Sequence, residues 1–126
     1  MSLKKSLLFA LALTLAASCN NKMENDLIGH WRGFELLEED IPLDLDPAEI
    51  RFEFRTGKAY SFSGTLNYKE EGEYRIKAGH LFTRDTLHPG AEEKAVRIEQ
   101  FEADTLVLKM DEQGKTRILK LQRVSE

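Results

Sequence analysis

The chain has 126 residues, 41% of them hydrophobic and 32% charged, with 18 Lys and Arg against 22 Asp and Glu and a formal charge of −4. That length holds one small domain. The acidic balance argues against a nucleic-acid surface, which gathers Lys and Arg against phosphates, and against charge-driven docking on anionic lipid.

The first residues read as a secretory signal. Lys4 and Lys5 precede an apolar run from Leu7 to Ala17, and small residues follow. The run is too short to span a bilayer, which takes about 20 residues, and no one-pass anchor is expected. The only cysteine, Cys19, directly follows Leu15-Ala16-Ala17-Ser18. This resembles a bacterial lipobox, and the resemblance implies cleavage before Cys19 and acylation of its thiol with chains such as palmitate. Several such chains together hold a protein stably to a membrane. With Cys19 so used, no intramolecular disulfide can form, and packing alone must stabilise the fold. Loss of residues 1–18 removes Lys4 and Lys5 and lowers the formal charge by two, to −6. The expected organisation is a lipoprotein signal peptide over 1–18, a lipidated cysteine and flexible polar tether over 19–26, and one β-domain over 27–126.

From His30 onward the period is two. Ile50, Phe52 and Phe54 alternate with Arg51, Glu53 and Arg55, as in a half-buried strand. After the turn signal "TGK", Tyr60 and Phe62 continue the alternation, and after "SG" Leu66 and Tyr68 resume it. "KEEGE", Lys69 to Glu73, reads as a hairpin turn or a bulge at Gly72. Tyr74 and Ile76 follow, then Phe82 in a short strand ended by "LHPG". The pairs Val96/Ile98, Leu106/Leu108 and Leu119/Leu121 mark three further strands. The pattern predicts an all-β fold of seven to eight short antiparallel strands, an up-and-down barrel in preference to a β-sandwich. Closure would leave no open sheet edge. The inward set is predicted to include Phe52, Phe54, Tyr60, Phe62, Tyr74 and Phe82, with Tyr68.

Gly29-His30-Trp31, a G-x-W at the start of the first strand, resembles the signature of lipocalins and lipocalin-like domains. The lipobox, "LIGHW", "GEYRI" and "DTLVLKM" are similar to those of lipocalin-like lipoproteins of the Bacteroidetes. The resemblance implies that Gly29, Trp31 and a basic residue near the end of the last strand, matched by Arg123 rather than Arg117, form the closed base of the barrel. It implies no catalysis, and it places the protein in the bacterial cell envelope, with the outer membrane as the default by analogy. The bilayer is then a partner through acylated Cys19. The chain is shorter than typical secreted lipocalins and lacks their T-D-x-x-Y motif. Its interior aromatics can therefore either line a pocket for a small hydrophobic ligand or plug it. The first outcome makes the protein a binding module, the second a solid-barrel protein-interaction or inhibitor module.

"LLEEDIPLDLDPAE", Leu36 to Glu49, is the longest connection. The resemblance makes it an apolar lid over the open end, while by composition alone it is a solvated acidic loop. Asp40, Asp44 and Asp46 match no EF-hand spacing. His30, His80 and His88 have no zinc-ligand spacing, so neither metal nor cofactor is expected. No nucleophile stands beside a base in a recognisable motif, and no enzyme is expected.

Overall fold

The computed structural model describes residues 20–125. Cys19, the predicted signal and Glu126 lie outside the described residues. Residues 20–27 are helical (α1). They are followed by β1 (Gly29–Glu38), the two-residue β2 (Ile41–Pro42), β3 (Arg51–Arg55), β4 (Ala59–Ser63) and β5 (Lys69–Lys77). β6 (His80–Asp85), β7 (Lys94–Glu102), β8 (Thr105–Glu112) and β9 (Lys115–Val124) complete the sheet. Every pairing is antiparallel between neighbours in the chain, except that β2 pairs only with the end of β1, which goes on to pair with β3. β9 returns to β1, with Trp31 opposite Arg123 and Leu36 opposite Leu119. The result is a closed eight-stranded barrel with one short extra strand.

Local chemistry explains the short connections. Ala78-Gly79 and Gln113-Gly114 each hold two successive positive φ angles, 50° and 76° in the first and 51° and 79° in the second. Such primed turns match the right-handed twist of the strands they join. A bulge between Gly33 and Glu35 shifts the phase of β1. Leu36 therefore faces inward while Phe34 stays 45% exposed outside.

Three expectations are corrected. Residues 20–26 are not a flexible tether: they are helical, with Glu24 buried and Met23 packed on the core. Leu66 is not a strand residue. It stands in the loop after β4 at φ 57° and is 98% exposed, so its apparent alternation is coincidental. "KEEGE" is neither turn nor bulge, because β5 runs straight through it with Glu70, Gly72, Tyr74 and Ile76 on one face. Gly72 permits this passage, since a Cβ there would lie 1.9 Å from the Arg84 carbonyl oxygen.

Candidate functional site

The two ends of the barrel are built differently. At the end where β1 starts, α1 acts as a plug, with Leu27 and Trp31 fully buried. The Trp31 indole N–H donates to the Leu27 carbonyl at 2.8 Å. Arg123 lies over the indole, 4.4 Å from the ring centre. Its guanidinium also donates to the carbonyls of Ile28 at 2.7 Å, Asp26 at 2.6 Å and Ala103 at 3.1 Å. The Asp26 and Ile28 carbonyls belong to the end of α1, where a cation satisfies orphan acceptors. Gly29 has to be glycine here: its φ is 137°, and a Cβ would sit 2.7 Å from an Arg123 nitrogen. Glu24 completes the plug by accepting from the Ile76 backbone N–H at 3.1 Å, while the Tyr74 hydroxyl donates to the Glu24 carbonyl at 3.3 Å.

The opposite end is open. A cavity of about 670 Å³ lies between β1, β3–β6, β8 and β9, with β7 also contributing to its wall. Its apolar wall includes Leu36, Phe52, Phe62, Leu81, Leu108 and Leu119. Tyr68, Glu70, Thr83 and Lys94 supply polar groups on one side, and Asp111, Glu112 and Arg117 on the other. That size and mixed lining are those of a small-molecule site.

The sequence-predicted interior aromatics divide into four groups. Phe52 and Phe62 line the cavity, with ring centres 4.8 Å apart. Phe54, Tyr60 and Tyr74 point inward but are buried and do not line the cavity, and Phe54 and Tyr74 meet edge to face at 4.9 Å. They fill the part of the barrel next to the plug. Phe82 is corrected to the outer face, where it lies under the Arg75 guanidinium at 4.1 Å. Its strand has the opposite phase, with Leu81 and Thr83 on the cavity wall. Tyr68 stands at the rim, 43% exposed.

Sequence reasoning missed the polar cluster in the cavity wall. Glu70, a β5 residue, is 6% exposed and accepts from the hydroxyls of Tyr60 at 2.9 Å and Tyr68 at 2.6 Å and from the Lys94 ammonium at 3.0 Å. Burial pushes its carboxyl pKa up, but the hydrogen bonds from Tyr68, Lys94 and Tyr60 outweigh that and leave it lowered. Glu70 is thus a carboxylate at neutral pH. The hydrogen bond to Glu70 first, and burial second, raise the Tyr68 pKa to about 12. Tyr60 is raised further, by burial first and by Glu70 second.

Beside this cluster, the His88 ring stacks on Tyr68 with 5.7 Å between centres, and its Nδ1 pairs with buried Asp85. Asp85 also accepts from the backbone N–H groups of Leu87 at 2.9 Å and Glu71 at 3.3 Å. Burial pushes its pKa up, yet these hydrogen bonds leave it lowered. Across the cavity, Arg117 pairs with Glu112 at 2.7 Å and Glu38 at 3.7 Å, and its buried Nε has no hydrogen-bond partner. The signal for Glu70 was available: extending the period of two backward from Ile76 and Tyr74 reaches Gly72 and then Glu70.

Apart from Leu36, which belongs to β1, the long connection does not line the cavity. It patches the wall instead, along the edge of β1 that β3 leaves free. Leu43 N donates to Leu36 O at 3.1 Å, and Gly33 N to Ile50 O at 2.8 Å. Asp46 caps the short 3-10 turn Pro47–Glu49 through the Ala48 N–H at 3.0 Å. Among the described residues no three His, Cys, Asp or Glu side chains are grouped as metal ligands. No helix among them is long and apolar enough to cross a membrane.

No protein-family model matches the sequence, and no curated protein matches it. Solved structures do match. A lipocalin-like protein from Bacteroides uniformis superposes with a TM-score of 0.59 at 15% identity, covering 79% of this chain and 99% of that one. An uncharacterized protein from Bacteroides eggerthii gives 0.56 at 13% identity, covering 78% of this chain and 99% of its own. The fold is lipocalin-like. At these identities the likeness concerns architecture alone, and the ligand chemistry has to be argued from the cavity of this chain.

Proposed function

We propose that this protein is a lipid-anchored, non-catalytic binding module of the bacterial envelope, held at the outer membrane through acylated Cys19. It takes up or shields a small hydrophobic molecule in the open half of its barrel. The observation that carries this reading is the cavity of about 670 Å³ with its largely apolar wall. The solid-barrel alternative is less well supported, because the packed aromatics fill only the half next to the plug. The absence of a T-D-x-x-Y motif does not weigh against a pocket that is already open.

Native mass spectrometry of the purified protein, together with titration by an environment-sensitive apolar dye, tests the binding. A bound or bindable small molecule, released chemically unchanged, is the expected result. A Leu108→Trp variant, whose larger side chain would occupy the cavity, should abolish it. If no apolar molecule binds, the reading is wrong. Anchoring is tested separately, by incorporation of labelled palmitate that disappears in Cys19→Ala.

A further inference from the structure

We infer that the cavity selects an electrically neutral amphiphile, a hydrocarbon chain with a hydroxyl, ester or amide head, over the corresponding carboxylate, and that Glu70 sets this preference. The inference rests on the ligand-binding reading above and adds the class of ligand.

The cavity is apolar inside and ionic at its mouth, so a ligand enters chain first and leaves its head between the two ionic groups. Both cations there are already neutralised. Lys94 is 3.0 Å from Glu70, and Arg117 is 2.7 Å from Glu112 with Glu38 at 3.7 Å. Glu70 in turn is held by two tyrosine hydroxyls as well as by Lys94. A carboxylate head reaching Lys94 would stand against Glu70. A like charge brought into a partly desolvated site is a strong discriminator between otherwise similar ligands. A neutral head meets no such penalty, and the Thr83 and Tyr68 side chains on the same wall offer it hydrogen-bonding oxygens.

Ile41, Leu66 and Leu87 are 68%, 98% and 50% exposed, on three separate connections at the open end. Leu66 is held outward by a left-handed backbone that Asn67 shares, with φ 57° and 59°. These side chains give a hydrocarbon tail an apolar approach. Two of these connections carry Glu39, Asp40, Asp44 and Glu92, and strand ends at the same end of the barrel carry Glu112 against Lys69 and Lys115. An anionic head is repelled on the way in as well as at the site.

The experiment is calorimetric titration of the purified, detergent-free protein with dodecan-1-ol and with dodecanoic acid at neutral pH. The alcohol should bind about tenfold or more tightly, a difference that one like-charge contact readily supplies. Glu70→Gln, which frees the Lys94 charge, should shift the ratio by about tenfold or more toward the acid. Lys94→Met in the Glu70→Gln background should cancel that gain. Lys94→Met alone alters a side chain that is 62% exposed, so it tests the same cluster even if Glu70→Gln folds poorly. It should weaken the acid by a larger factor than the alcohol. Equal or tighter binding of dodecanoic acid to the unmodified protein overturns the inference while leaving the ligand-binding reading intact. An unchanged ratio in a folded Glu70→Gln overturns the role of Glu70. Binding of neither molecule sinks both readings.

Discussion

Trp31→Ala should bring the whole domain close to unfolding. Trp31 is fully buried, packed edge to face on Phe101 at 6.0 Å and covered by Arg123 at 4.4 Å. Truncating a buried tryptophan to alanine costs about 3–5 kcal/mol in lost transfer energy and residual cavity. The substitution also leaves the Leu27 carbonyl without its 2.8 Å donor, at about 1 kcal/mol or more where water cannot reach it. The contact with Arg123 adds about 0.5–2 kcal/mol, discounted because the guanidinium keeps its three carbonyl partners. The total, about 4–6 kcal/mol, is comparable with the whole stability of a domain this size, about 5–15 kcal/mol. Urea unfolding followed by far-UV circular dichroism is the suitable assay, since the substitution removes the only tryptophan. Trp31→Phe, which retains a ring for Arg123 and Phe101, should lose roughly half as much. A Trp31→Ala protein less than about 1.5 kcal/mol weaker than its parent would refute the closed-end reasoning. So would one that stays fully folded but loses ligand affinity.

Three further outcomes follow from the geometry. Gly72→Ala must push β5 and β6 apart, because its Cβ would overlap the Arg84 carbonyl. At about 1–3 kcal/mol for such overpacking, calorimetry should show the melting temperature falling by roughly 10 °C. Glu24→Leu leaves the buried Ile76 N–H without its acceptor. A loss of about 1–3 kcal/mol should appear with faster amide exchange at Ile76. Stability should also fall at both extremes of pH. The lowered pKa values of Glu70 and Asp85 give a contribution that is complete above the ordinary carboxylate range and is lost as pH falls through their folded values. Tyr68 and Tyr74, raised from 10.0 to about 12, give one that is complete below 10 and is lost as pH rises toward 12. Unfolding free energies across the pH range should show both limbs, and Glu70→Gln should lower the pH at which phenolate absorbance appears.

The closed end was anticipated through the resemblance of its G-x-W to the lipocalin pattern, and its glycine, tryptophan and arginine each answer a requirement that few residues meet. These are a backbone at φ 137°, a large ring with an N–H donor, and a planar cation able to cover the ring and bind several carbonyls. The strands were legible where the inner face is apolar. Legibility failed where the inner face is polar, as at Glu70 and Gly72, because a hydrophobic alternation does not register a carboxylate or a glycine that points inward. It failed at Phe82 for the opposite reason. An outward ring opposite Arg75 is covered by a guanidinium rather than by the core, and hydrophobicity alone does not distinguish the two. α1 escaped notice because "NNKMENDL" shows too short an apolar stripe, Met23 and Leu27, to reveal a helix whose main anchors are a buried carboxylate and its own C-terminal carbonyls.

The cost of Glu70 bears on what the open end does. A buried carboxylate with its ammonium and two hydroxyl partners is rarely the most stable filling for a barrel wall. Similar volume in well-packed apolar side chains is often neutral or better by about 1–4 kcal/mol. The half of the barrel next to the plug follows that economy, with Phe54, Leu106 and Leu121 almost or completely buried. The cavity wall departs from it where β4, β5 and β7 bring Tyr60, Glu70 and Lys94 together beside open space. A fully satisfied ionic cluster contributes little to the fold there that leucine would not. What leucine would not provide is a fixed negative charge at the mouth of an apolar cavity, and a fixed charge discriminates among ligands by the charge of their heads.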